Sequence, residues 1–396
     1  MICGILKSMQ RIKSFLINVS VLLVTLLLFS VVVEFSLASF YPQKDTITFA
    51  ERGSSDTFDS IAGWTDYKNS MYRVRTTEYD NVIRVNSEGF DDDEWVLQKG
   101  ANETRIVALG DSFTQAVGVR KDRRFTDVLS QLLTSRKSSS TVSVLNFGAG
   151  GYSTCNEYVV LVNKSMKYSP DAVVLFFYLG NDFFENVDSS LRRPSCNFAG
   201  DGSLVNVSTP VRVPLKKVSF LNSVTINTHL GRLFMNTFRY SSVSSKVSRL
   251  LGNTPKYPDI DLLDVRLREK NVRVMNVTLQ SLKGMSSFLK SENVPFVVVI
   301  IPNRIQVQNS TWKSVVAKYA YNESEYDSRF PERYLSEYFV SENISLVSLY
   351  DPLTSAFGND GEDLYFSNDG HLNERGHVVV ASEVYKFFAK VNVTES

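Results

Sequence analysis

The stretch RIVALGDSFT, residues 105–114, decides the fold: a short apolar run closes at Gly110 and passes at once into a turn carrying Asp111 and Ser112. An unbroken apolar strand is buried on both faces, as in a parallel sheet covered by helices. The same unit recurs along the chain. Residues 142–147 form a second such strand, ended by Gly148-Ala149-Gly150-Gly151, and residues 171–178 a third, apolar after its first residue. Residues 295–301 and 344–350 are the fourth and fifth. Helical spacing of apolar residues appears in 121–134, 154–167, 260–291, near 331–341, and in 374–391, where Val378, Val379, Val380, Val384 and Phe387 make the apolar face. Strands alternating with helices predict a three-layer α/β/α sandwich with a central parallel five-stranded sheet.

Ligands of such sheets bind at the carboxyl ends of the strands. The residues that carry chemistry fall there. Ser112 follows strand one at a tight strand-to-helix turn, where backbone N–H groups can stabilise an oxyanion. Strand two runs into the glycines before Tyr152-Ser153-Thr154, whose N–H groups a ligand can approach closely. Strand three ends at Gly180-Asn181-Asp182, where an Asn amide can donate to developing negative charge. Near the C-terminus, Asn368-Asp369-Gly370-His371-Leu372 holds one of only three histidines, the others being His229 and His371's neighbour His377. Imidazole suits a general base near neutral pH, and an adjacent carboxylate fixes its tautomer. Singly, each site has a plain structural explanation: a helix cap by Asp111 or Ser112, a flexible glycine turn, an Asx turn at Asn181, a polar loop. A second Gly-Asn-Asp, at Gly358-Asn359-Asp360, lies in a polar stretch with no strand before it and is set aside.

With four such sites in this order, the sequence resembles the SGNH/GDSL hydrolase superfamily across residues 110–376. It looks closest to a membrane-anchored, exported branch, which shares stretches like Asn86-Ser87-Glu88-Gly89-Phe90, Gly110-Asp111-Ser112-Phe113-Thr114, Gly151-Tyr152-Ser153-Thr154 and Asp369-Gly370-His371-Leu372. The resemblance implies the flavodoxin-like SGNH fold, with Ser112 as nucleophile, His371 as base and Asp369 as its orienting acid. It also implies an oxyanion hole made by the N–H groups of Ser112 and Gly151 and the amide of Asn181. The superfamily's usual spacing places the acid three residues before the histidine, where this chain has Asn368. Related exported branches use the shorter spacing, so the acid is assigned to Asp369. The implied chemistry is acyl-ester hydrolysis through an acyl-serine, with no metal and no organic cofactor. The expected substrate is an O-acetyl or other short acyl ester on carbohydrate, or a lipid ester. Two alternatives remain: an O-acyltransferase acting on a glycan, which needs the same residues, and a catalytically inactive glycan-binding protein on the same fold.

The amino terminus bears on compartment. Residues 15–33 carry no charge, and Lys7, Arg11 and Lys13 precede them. A helix of about 20 apolar residues crosses the hydrocarbon core, and the basic flank puts the N-terminus in the cytoplasm. A signal peptide cleaved after Ser36-Leu37-Ala38 is the other reading; both export the rest. The expected order is a cytoplasmic tail at 1–13, a transmembrane signal anchor at 14–41, an N-terminal extension at 42–100, polar and irregular, and a hydrolase domain at 101–396. An insertion without clear period occupies about 188–255. Asn-x-Ser/Thr triplets in the part expected to be exported begin at Asn102, Asn163, Asn206, Asn276, Asn309, Asn322, Asn343 and Asn392, so a glycoprotein is expected. Cys155 and Cys196 form a disulfide or stay as two buried thiols; Cys3 precedes the apolar stretch. The charge balance, Lys+Arg 43 against Asp+Glu 42, excludes a dedicated nucleic-acid binder. The acidic run Asp91-Asp92-Asp93-Glu94 has no ligand cluster beside it and reads as a solvated loop.

Overall fold

The structure is a computed structural model that describes residues 2–42, 56–136, 140–187, 191–212, 228–239, 257 and 260–391. The chain divides into two compact units, Met1–Gly53 with Lys216–Val247, and Ser54–Leu215 with Ser248–Ser396.

In the second unit, β1 (Asp56–Asp59) pairs antiparallel with β2 (Gly63–Asp66), and β3 (Met71–Arg75) with β4 (Asp80–Arg84). Next come β5 (Glu103–Gly110), β6 (Thr141–Gly148) and β7 (Ala172–Tyr178). An antiparallel pair, β8 (Ser195–Phe198) and β9 (Leu204–Ser208), precedes β10 (Phe296–Ile301) and β11 (Ser345–Ser348). The last two join β5, β6 and β7 in one parallel five-stranded sheet of order β11-β10-β7-β5-β6. All five strands lie where the apolar runs predict them.

Side-chain alternation makes the layers. Val107, Leu109, Phe147, Val173, Leu175, Phe177, Val298 and Ile300 join one core, with residues of the helices Thr154–Val160, Arg268–Ser291 and Phe330–Ser341. Ile106, Ala108, Val174, Phe176, Val297, Val299 and Ile301 join the other, under Phe125–Arg136, Tyr350–Asp360 and Glu374–Val391. Every residue of β7 is buried. At about 1.5–3 kcal/mol for each large apolar side chain, these two cores dominate the folding free energy. From β5 the chain goes to β6 on one side and then to β7 on the other, so the carboxyl end of β5 is the switch point where such sheets bind ligands.

Several sequence readings need correction. Residues 42–100 read as irregular, but from residue 56 they fold into the two hairpins; residues 43–55 lie outside the described residues. The strands of those hairpins have only 4–5 residues each, too short for a periodicity signal. The insertion at 188–255 contains the β8–β9 hairpin and the helix His229–Arg239, while residues 188–190, 213–227 and 240–255 lie outside the described residues. Cys196 on β8 is disulfide-bonded to Cys155, with Cα atoms 5.6 Å apart, which closes the question of two free thiols. The last helix buries His377, Val380, Ala381, Val384 and Phe388, while Val378 is 50% exposed. Of the face read from the sequence, Val380 and Val384 are buried, Val379 and Phe387 pack partly buried against the same core, and only Val378 points outward; His377 packs inward beside it, its Nδ1 accepting from Phe125 N–H at 3.1 Å. The acidic run is only half solvated: Asp91 and Asp92 are buried against Arg124.

The first unit holds the helix Ile2–Phe40, whose segment Ile12–Phe40 is long and apolar enough to cross a membrane.

Candidate active site

Gly110 ends β5 with φ +157, and a Cβ there would stand 2.1 Å from Thr114 Oγ1 and 2.9 Å from Phe176 O. Only glycine permits that approach, which lets the chain turn sharply from the strand into the short helix Ser112–Gln115. Asp111 caps this helix, its carboxylate accepting from Phe113 N–H at 2.9 Å, so the capping explanation holds for Asp111. Ser112 is left to project. Its Oγ lies 2.7 Å from Nε2 of His371, and Nδ1 of His371 meets Oδ1 of Asp369. The imidazole packs on Phe113 with ring centroids 4.7 Å apart, and Phe113 stacks in turn on Tyr178 at 3.8 Å. Residues separated by 259 positions thus form one chain of contacts from serine through imidazole to carboxylate.

The glycine loop after β6 lies beside this serine. A Cβ on Gly150 would be 3.9 Å from Ser112 Cβ. The N–H of Gly150 is held by Gln115 Oε1 at 2.9 Å, which leaves the N–H of Gly151, at φ +74, as this loop's candidate donor. Asn181 heads the short helix Asp182–Glu185, yet its side chain makes no capping bond; it lies beside the Asp111 carboxyl next to the nucleophile. The Asx-cap explanation therefore fails for Asn181. The decoy Gly358-Asn359-Asp360 is the exposed C-terminal end of the helix Tyr350–Asp360, where Asp360 pairs with Arg375.

Burial opposes the charge on Asp369, but His371 and the Tyr79 hydroxyl outweigh it and hold the carboxyl down at about 2. Burial likewise pulls His371 down, yet Asp369 raises it above the ordinary imidazole value overall. A base works only when neutral, so activity should rise with pH through that raised value.

Sequence reading missed the residues that hold these groups, and most come from the N-terminal hairpins. Tyr79, in the β3–β4 turn, donates its hydroxyl to Asp369 Oδ2 at 2.8 Å. Beside it, Glu78 accepts from the N–H groups of Asn368 and Asp369 at 2.9–3.1 Å. From β2, Trp64 Nε1 donates to Gly150 O at 3.0 Å, and Asp66 Oδ2 accepts from Gln115 Nε2 at 3.0 Å. Arg193, in the insertion, donates to the Gly151 carbonyl and lies 3.4 Å from Glu185. No local pattern signals Tyr79, since its contact spans 290 residues. Tyr79→Phe is expected to lower kcat roughly tenfold with KM little changed, the scale of one lost hydrogen bond to a charged group. The freed carboxylate would hold the imidazolium more tightly, so the acid limb of the pH profile should move to higher pH. An unchanged profile and kcat would contradict a positioning role.

Behind the nucleophile, Asp111, Glu157 and Asp182 are all buried, and Glu185 is near. Burial first, and mutual repulsion second, raise all three carboxyls, Asp111 to about 7. Among the described residues, neither oxygen of Glu157 has a hydrogen-bond partner. Groups with raised folded values contribute stability that is full below the unfolded carboxylate value. It drains as pH rises, for Asp111 between 3.8 and about 7. Glu157→Gln is therefore expected to raise stability at pH 8 by about 1–3 kcal/mol and to leave pH 4 nearly unchanged, by chemical denaturation. Equal changes at both pH values would contradict the charge assignment. Among the described residues, no group of His, Cys, Asp and Glu could hold a metal ion.

A family model described as GDSL-like Lipase/Acylhydrolase matches residues 106–384. No curated protein matches the chain. Among solved structures, an acetyl xylan esterase is 14% identical, with 72% of this chain and 98% of that chain covered and a TM-score of 0.38. A catalytic mutant of an acetylxylan esterase from Geobacillus stearothermophilus is 10% identical, covering 75% and 96%, with a TM-score of 0.38. TesA is 11% identical, covering 73% and 99%, with a TM-score of 0.35. Likenesses this distant say nothing about substrate.

Proposed function

The chain belongs to the GDSL-like lipase/acylhydrolase family, within the SGNH hydrolases, and is a serine hydrolase acting on esters; from that premise we propose that Ser112 is its nucleophile, His371 its base and Asp369 the acid that orients the imidazole. The observation that carries this reading is the 2.7 Å approach of Ser112 Oγ to His371 Nε2. In acylation, His371 takes the Ser112 proton as Oγ bonds to the ester carbonyl carbon. The N–H groups of Ser112 and Gly151 and the amide of Asn181 hold the oxyanion. Collapse breaks the bond to the alcohol oxygen, which leaves with the proton from His371. Water, activated by the same imidazole, then releases the carboxylic acid and restores Ser112.

The substrate we favour is a short acyl ester, O-acetyl above all, on a carbohydrate. Around Gly151 stand the Trp64 ring edge, the Arg193 guanidinium and the Glu185 carboxylate, all within 4.0 Å of where a Cβ would be. An indole with paired charges suits a hydroxyl-rich alcohol and a short acyl group better than a long hydrocarbon chain. The full chain in detergent should hydrolyse 4-nitrophenyl acetate faster than the octanoate and release acetate from an acetylated oligosaccharide. A preference for the octanoate would overturn the short-acyl reading. Acetyl transferred to an added sugar in place of free acetate would identify an O-acyltransferase using the same residues.

The N-terminal helix serves as a single-pass anchor, with its basic flank in the cytoplasm and the catalytic unit outside. Two features support this. Cys155 and Cys196 are disulfide-bonded, as befits an oxidising compartment. Seven of the triplet asparagines, Asn102 through Asn343, are exposed and open to glycosylation, while Asn392 lies outside the described residues.

A further inference from the structure

Between Lys13 and Lys44 the sequence carries a single charge, Glu34. The uncharged run at 15–33 would span about 28 Å as a helix, close to the thickness of the hydrocarbon core. Glu34 therefore falls at the outer boundary of the bilayer, where an unpaired carboxylate is costly. Its Oε1 accepts from His229 N–H at 2.6 Å and its Oε2 from Leu230 N–H at 2.8 Å. These are the opening N–H groups of the helix His229–Arg239, which a helix cannot satisfy internally and whose partial positive charge favours a carboxylate. Arg232, one turn on, adds its attraction to the same carboxylate.

That helix begins HLGRLF. Leu230, Leu233 and Phe234 recur at the three- and four-residue spacing that lines one side, while Arg232 falls off it. Phe234 is 57% exposed, beside a membrane-spanning helix in the same unit. An apolar side with an aromatic, a basic residue off it, and a fixed attachment at the bilayer boundary are the features of a helix lying in the plane of a lipid surface. We propose that His229–Arg239 is an interfacial helix, seated at the outer headgroup–acyl boundary with Glu34 as its N-terminal partner, and that its binding partner is the lipid bilayer. The insertion then ties the chain to the membrane a second time. The inference rests on the reading of Ile12–Phe40 as a membrane span.

The test uses the full chain in phosphatidylcholine nanodiscs, with Cys3→Ser removing the one cysteine outside the Cys155–Cys196 disulfide. Phe234→Cys and, separately, Leu26→Cys carry an environment-sensitive fluorophore. Brominated acyl chains should quench the label at 234 at least roughly twofold, with little quenching by aqueous iodide. Lipid quenching at 26 but not at 234 overturns the interfacial helix and leaves the span standing. Quenching at neither position overturns both.

Discussion

His371→Ala is expected to lower kcat by about 10⁴-fold or more, with KM changed little. Without the imidazole 2.7 Å away, Ser112 keeps its proton and remains a weak nucleophile. Phe113 and Asp369 persist, so the loss would be chemical and not a failure to fold; an unchanged melting curve checks that. Ser112→Ala should cost a similar factor, and the double variant no more than either alone, because the two residues act as one unit. Residual activity would come from the oxyanion donors. A loss below tenfold for His371→Ala would mean that another base serves Ser112. His377 is no substitute: burial first, then Arg124, drives it down to about 3, and its Nδ1 is engaged by Phe125.

Arg124→Met is expected to cost about 3–5 kcal/mol of stability, the largest single-residue loss outside the two cores. Arg124 is 1% exposed and is met by Asp91 at 3.2 Å, Asp127 at 3.2 Å and Asp92 at 3.8 Å. Methionine restores much of the volume but leaves the buried Asp91 without its cation, while Lys121 still meets Asp92 at 3.3 Å and Asp127 at 2.7 Å. Burial already raises Asp91 to about 7 against the pull of Arg124. Removing that pull raises it further, so the folded protein keeps a proton there over a wider range than the unfolded chain. The cost should therefore be larger at pH 8 than at pH 5, and adding Asp91→Asn should recover part of it. The damage would extend towards the site. Asp92 Oδ2 accepts from Asn146 N–H at 3.0 Å, and Asn146 Nδ2 donates to Thr114 O at 2.8 Å, in the helix that carries Ser112. A loss under about 1 kcal/mol, equal at both pH values, would contradict a buried ionic cluster.

The sheet was legible because its strands are buried on both faces, so their sequences are unbroken apolar runs; β7 is the clearest case. The positions of Ser112, Gly151 and Asn181 were legible because each falls two or three residues after a strand of the sheet; His371 instead lies in the loop between the helices Tyr350–Asp360 and Glu374–Val391, and only its motif singled it out. The supporting contacts were not. Tyr79 and Glu78 sit on a hairpin whose β3 and β4 alternate buried and exposed residues over five positions each, too few to set a period. Their role exists only once residues 290 apart meet. Asp91 and Asp92 looked like solvent because the sequence does not reveal that Arg124 is buried with them. The helix His229–Arg239 was lost inside a long polar insertion, since eleven residues of good periodicity average away in a wider window.

The most direct test of an activated Ser112 is to treat the full chain with a fluorophosphonate probe and map the adduct by mass spectrometry, alongside Ser112→Ala and His371→Ala. A single adduct on Ser112, absent from both variants, is the predicted result. A folded protein that takes no adduct, or takes it at another serine, would contradict the assignment.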